Sequence, residues 1–178
     1  GTEPEEEGSH AYIHYDNVRV PLDHVLGGEG QAFAIAQTRL GGGRIHHAMR
    51  TISRVRQAFD MMCERALTRQ TRTGPLASLQ MTQERIAEAR CQIEQARLLT
   101  LKAAWMMDQA GNKAAKAEIA MIKVVAPTMA GKVIDWAMQV HGGAGYINEY
   151  PVERFYRDVR LLRLYEGTTQ IQQVIIGR

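Results

Sequence analysis

Cysteine is scarce in this chain. Its two thiols, Cys63 and Cys91, fall in helix-like segments without metal-site spacing, so no zinc site is indicated and both read as buried thiols of a reducing compartment. Aromatic residues make up only 6% of the sequence, gathering at Tyr146, Tyr150, Phe155, Tyr156 and Tyr165, and the basic residues are dispersed. Nucleic-acid binding is therefore not expected. Nor is there a signal peptide or an apolar run approaching the roughly 20 residues that a membrane-spanning helix requires. A soluble, non-secreted protein is the expectation.

With 178 residues, 45% of them hydrophobic, the chain can bury one substantial core and carry a short appendage. The net charge of +3 includes an acidic start at Glu3, Glu5, Glu6 and Glu7. The rest is moderately basic, a balance that suits either a polyanionic ligand or simple solubility.

Residues 11–21, including Tyr12, His14 and Val18 to Val20, have strand character, as at the tail of a β region. From Gln31 onward the pattern becomes helical. One apolar stripe runs through Ala48, Ile52, Val55, Phe59, Met62 and Ala66; a second through Ile86, Ala89, Ile93, Ala96, Thr100, Ala103 and Met107; a third through Ile122, Val125, Met129, Val133, Trp136 and Val140. Steps of three and four put each set on one helix face. Thr73-Gly74-Pro75 separates the first two stripes and Gly111-Asn112 the next, which predicts antiparallel neighbours in an all-α, up-and-down four-helix bundle with a short N-terminal β segment. A final helix is expected after Gly167. The domain boundary is expected near residue 27, with residues 28–178 forming the bundle.

Two features break helix rules. Gly41-Gly42-Gly43 should interrupt the first helix at about 1 kcal/mol per glycine, either for a close helix contact or to leave room for a ligand. Pro127 should bend or break the third. The methionines, including Met61-Met62 and Met106-Met107, read as core filler.

The chemistry concentrates between residues 139 and 173. Gln139-x-x-Gly142-Gly143-x-Gly145 reads as a helix C-terminal cap, yet its glycines also expose peptide groups to a flat or phosphorylated cofactor, beside a glutamine that both donates and accepts. No strand leads in and no Lys-Ser/Thr follows, so it is neither a dinucleotide fingerprint nor a phosphate loop. Glu166-Gly167 has two readings as well: an exposed residue at a helix start, or a half-buried carboxylate after Leu161-Leu162-Arg163-Leu164-Tyr165, where burial makes a better proton acceptor.

Gln139 to Asp158 and Tyr165 to Gln172 resemble the C-terminal domain of the acyl-CoA dehydrogenases, and the resemblance extends from Tyr12 to Arg178. It implies a flavoprotein with FAD as cofactor and an acyl-CoA thioester as substrate. Glu166 would be the catalytic base, and Gly43, Arg44, Tyr165 and Gly167 would border the acyl-CoA. Thr168, Thr169 and Gln170 would contact FAD. Gln139, Val140, His141, Gly142 and Gly143 would meet its adenosine portion across a subunit interface, and Arg69 and Gln80 its diphosphate from a neighbouring subunit. An electron-transfer flavoprotein or similar acceptor, a homodimer or homotetramer, and a cytoplasmic location in a bacterium or a mitochondrial or peroxisomal one otherwise are further implications.

The sequence departs from the family pattern at Arg72 and Thr73, which replace an aromatic residue and a glycine. Some relatives carry the base on the first long helix, where Gly43 stands here, so Glu166 is the sole candidate. Residues 1–27 would be the end of a truncated β domain, and the fragment alone would bind little FAD and turn nothing over. Two other functions remain open at this point: an acyl-CoA oxidase or nitroalkane-oxidase-like enzyme, and a noncatalytic helical assembly domain.

Overall fold

The apolar stripes assemble as three long helices. In the computed structural model, which describes residues 11–178, these are α1 (Ala32–Thr68), α2 (Gln80–Ala114) and α3 (Lys116–His141), followed by the short α4 (Val152–Leu161) and α5 (Thr169–Ile176). The fourth layer of the all-α bundle is thus divided between two short helices packed on α3. One of them, α4, was not expected. Strands β1 (Gln70–Thr71) and β2 (Gly74–Pro75) form the α1–α2 hairpin.

Ala36–Arg178 form one compact unit, and the described residues up to Ile35 belong to another. Within the latter, residues 11–21 form no strand and are exposed. The expected β segment is absent among the described residues because these residues have no neighbouring strand to supply ladder hydrogen bonds. The acidic residues Glu3, Glu5, Glu6 and Glu7 lie outside the described residues.

Most stripe positions are buried, with Val55, Met62, Ala66, Ala89, Ile93 and Val133 fully so, while Phe59, Ile86, Met107, Trp136 and Val140 are partly buried. Burying each larger aliphatic side chain contributes about 1.5–3 kcal/mol, and the shared core of α1, α2, α3 and α4 is where that accrues. Val125 is the one exposed stripe position, at 37%, lying at the edge of its helix face. Cys91 is also exposed, and Cys63 only partly buried, which corrects the expectation of two buried thiols. Burial and the nearby Asp60 push the Cys63 thiol pKa up.

Ion pairs Lys132–Glu88 and Lys102–Glu118 step in opposite directions along α2 and α3, which fixes these helices as antiparallel. The reversal occurs at Gly111, the residue between Gln80 and Ala114 that leaves helical angles (φ 79°, ψ 174°). Left-handed φ there is accessible to glycine at no steric cost.

The triple glycine does not interrupt α1, which runs through it. A Cβ at Gly41 would lie 1.7 Å from Asn112 Oδ1, and one at Gly42 would touch Met107. Here glycine permits close approach of the α2–α3 corner. Pro127 is likewise accommodated inside α3, so the expected break does not occur.

Candidate active site

Glu166 sits in the turn between α4 and α5, and the turn is built to hold a conformation its side chain disfavours. Its φ is 53°, a left-handed angle uncommon for any residue but glycine. Gly167 follows at φ 91°. A Cβ on Gly167 would come within 2.5 Å of Gln172 Nε2, so this position needs glycine for space as well as angle.

Three buried side chains tie the turn down through its main-chain carbonyls. Arg44 Nε donates to the Glu166 carbonyl at 3.0 Å. Lys123, reaching from α3, donates to the carbonyls of Leu162 and Tyr165. Gln172 Nε2 donates to those of Glu166 and Gly167 at 3.5 and 3.4 Å. Thr168 then caps α5, its Oγ1 accepting from the Ile171 N–H at 3.3 Å, as a helix start requires.

The carboxylate is 16% exposed, which selects the half-buried reading over the exposed one. Oε1 lies 3.1 Å from His47 Nε2. Oε2 is buried without a hydrogen-bond partner. Beside both oxygens is Gly43, whose added Cβ would stand 3.3 and 3.4 Å from them. Burial lowers the pKa of both Arg44 and Lys123, and the Glu166 charge opposes that shift in each. Burial raises that of the Tyr165 phenol. The carboxylate thus faces two partly desolvated cations, though both direct hydrogen bonds to carbonyls.

The structure brings Gly43, Arg44, Tyr165, Glu166, Gly167 and Thr168 together, with Thr169 and Gln170 opening α5. It adds His47, Arg50, Lys123 and Gln172, which sequence reasoning missed. Lys123 had a legible signal as a lone cation in the apolar run Ile119–Val125. A cleft of about 230 Å³ borders the site, lined by His47, Arg50, Arg54, Asp158, Leu162 and Tyr165 among others. A larger groove of about 480 Å³ lies elsewhere, between α1 and α2.

The other site residues lie apart from these. Arg69 is about 37 Å from Arg44 at ~1.5 Å per residue along α1, and Gln80 opens α2 at that same end. Gln139 to Gly143 close α3, with Gly142 as its C-cap at φ 64°. Arg69, Gln80, Gln139, Gly142 and Gly143 are exposed, whereas Val140 is half-buried. His141 is buried, with its Nδ1 2.7 Å from the Ala137 carbonyl. Arg72 and Thr73 are exposed at the hairpin tip. The aromatic residues do not cluster: Tyr146 is 81% exposed and Phe155 is in the core, while Tyr150 meets His141 and Tyr165 meets His47. Their spacing along turn and helix sends them in different directions.

The C-terminal domain of acyl-CoA dehydrogenases matches residues 30–178. Human acyl-CoA dehydrogenase family member 11 is 48% identical over 92% of this chain, which spans 21% of that protein. Butyryl-CoA dehydrogenase from Megasphaera elsdenii is 36% identical, with a TM-score of 0.85 over 92% of this chain and 42% of its own. PigA, solved with FAD and proline, is 26% identical with a TM-score of 0.87, again over 92% and 42%. With half or more of its length matched and its helices superposing on solved members, the chain belongs to the acyl-CoA dehydrogenase family and corresponds to its C-terminal helical domain.

Proposed function

We propose that the protein carrying this domain is an FAD-dependent acyl-CoA dehydrogenase in which Glu166 removes the α-proton of an acyl-CoA thioester. The observation that carries this reading is a half-buried carboxylate with one oxygen 3.1 Å from His47 Nε2 and the other unpartnered. An unpaired buried polar atom is costly. A carboxylate this short of hydrogen-bond donors keeps its electron pairs available to accept a proton.

The α-proton of a thioester is too weak an acid for an unaided carboxylate. Its removal needs stabilisation of charge developing on the thioester carbonyl, of the kind main-chain N–H donors provide. The left-handed Glu166-Gly167 turn fixes the neighbouring main chain as well as the carboxylate, and Arg44, Lys123 and Gln172 prevent it from relaxing. Expulsion of water by the bound acyl chain strengthens the base further. FAD, when bound, supplies the acceptor for the hydride leaving the β-carbon.

The residues fit that cofactor. Cβ atoms at Gly142 and Gly143 would meet nothing within 4 Å, so a flat group can reach the main chain there. Arg69, Gln80 and Gln139 add exposed donors suited to a diphosphate and adenosine. This set is remote from Glu166 along the bundle, which supports the reading that a neighbouring subunit supplies it. Self-association as a homodimer or homotetramer is supported by the apolar residues Leu98, Leu101 and Trp105 of α2, which are 58%, 52% and 62% exposed. The electron acceptor in this reading is an electron-transfer flavoprotein or an equivalent.

Anaerobic titration of the flavin-loaded, full-length protein with acyl-CoA thioesters of graded chain length tests the proposal. Bleaching of the flavin by at least one thioester is expected. Unchanged absorbance across the series contradicts it.

A further inference from the structure

Beyond the Glu166 carboxylate, one face of α1 carries a row of polar side chains that proton removal does not use. Gly43 flanks the carboxylate oxygens, and steps of four, three and four residues lead from it to His47, Arg50 and Arg54. Such steps share a helix face. At ~1.5 Å per residue, Arg50 and Arg54 stand roughly 10 and 16 Å along the helix from Gly43. With Tyr165 and Asp158 they line the cleft of about 230 Å³ that borders the site. Val159 and Leu162, 2% and 8% exposed, supply the apolar part of its lining.

The two arginines are not occupied by the fold. Both are exposed, and among the described residues neither forms an ion pair with a carboxylate, Asp158 of the same cleft included. Arg50 places Nη2 2.8 Å from His47 Nδ1 and also reaches the Tyr165 side chain, which leaves several of its five N–H donors over. Arg54 makes no hydrogen bond among the described residues and lies over the Phe155 ring, 5.1 Å from its centroid. Arg44 and Lys123, by contrast, are committed to main-chain carbonyls. A plain alkyl chain in this cleft would strip water from two guanidinium groups and return no hydrogen bond, which is costly. An oxyanion returns charge-assisted bonds in the forked geometry that arginine favours. Its repulsion by Glu166 and Asp158 is offset by the two cations.

We propose that this cleft receives the far end of the acyl chain and that this end is an oxyanion, a carboxylate or a phosphate ester, gripped by Arg50 and Arg54. The protein is then selective for acyl-CoA thioesters with an anionic tail over plain fatty acyl ones. Because the arginines begin roughly two helix turns beyond Gly43, a tail of a few carbons past the α-carbon spans the gap. The inference names the substrate class of the proposed reaction and rests on the reading of Glu166 as the base, which places the α-carbon.

Binding is measured first, by calorimetry on the flavin-loaded full-length protein, with enoyl-CoA thioesters, which represent the product and need no base. At each of several chain lengths three are compared, ending in a methyl group, a carboxylate or a phosphate ester. At least one anionic thioester is expected to bind about tenfold or more tighter than its methyl-ended match, the scale of hydrogen bonds to a charged group. Whichever of the two leads identifies the oxyanion. Arg50→Met and Arg54→Met should each cut that preference severalfold, and Arg54→Lys, which keeps the charge but not the fork, should retain part of it. Flavin bleaching by the matching saturated thioesters is followed separately: tight binding without bleaching by any of them removes Glu166 as the base and leaves the tail site standing.

Equal or weaker binding of the anionic thioesters at every length overturns the proposal. So does an equal loss of affinity for all three kinds in the arginine variants, since the guanidinium groups would then serve the CoA phosphates or another part of the protein. Both side chains are exposed, so these substitutions leave the core untouched; should Arg50→Met release flavin, Arg54→Met alone decides.

Discussion

The two ends of this bundle are built in different ways. Around Glu166, side chains from α1, α3 and α5 converge on a single turn, and Arg44, Lys123 and Gln172 are 8%, 2% and 0% exposed. At the other end, Arg69, Gln80 and Gln139 project from helix termini with exposed side chains, and Gly142-Gly143 present bare main chain. The first end is finished within one chain. The second leaves its polar groups exposed. Strain at Glu166 is held by neighbours that cannot move cheaply, whereas exposed polar groups keep their hydration and cost little.

That contrast can be broken by substitution. The largest change in stability is expected from Gly145→Ala, at the open end, because the new Cβ would lie 2.4 Å from the Met138 carbonyl oxygen and 2.9 Å from its Cα. Overpacking against main chain costs about 1–3 kcal/mol, and the midpoint of thermal unfolding followed by circular dichroism should fall accordingly. If it does not fall, the turn after α3 is softer than described.

Gly43→Ala should act with opposite signs on folding and chemistry. Alanine in place of a helical glycine adds up to about 1 kcal/mol of helix stability, while its Cβ presses on both Glu166 oxygens. A higher melting temperature together with slower flavin reduction is expected. Equal or faster reduction would show that the space beside the carboxylate is not needed.

The smallest effect on stability belongs to Arg69→Ala, at an exposed site where substitutions usually stay within about 0.5 kcal/mol. Flavin retention after gel filtration should nevertheless drop in the full-length protein. Full retention would remove Arg69 from the cofactor set.

The sequence made the long helices legible because each repeats its apolar residues over many turns, and the two reversals carry glycine. Short α4 escaped: its buried face is only Val152, Phe155 and Val159, set among charged residues. The stripe through Ala89 and Ile93 leaves Cys91 on the opposite side of α2, which is why that thiol is exposed. Glu166 and Gly167 were legible through the family resemblance, and the half-burial of Glu166 could be anticipated from the apolar residues before it. Its left-handed backbone could not, since no local rule places a glutamate there. His47 was hidden for a different reason: Tyr165 and Glu166, which it meets, lie more than a hundred positions along the chain.

The central claim, that Glu166 takes the α-proton, is tested most directly by Glu166→Gln in the flavin-loaded full-length protein mixed anaerobically with an acyl-CoA that bleaches the wild type. The amide keeps the shape but cannot accept the proton. The account predicts retained FAD and no bleaching; bleaching at the wild-type rate would contradict it.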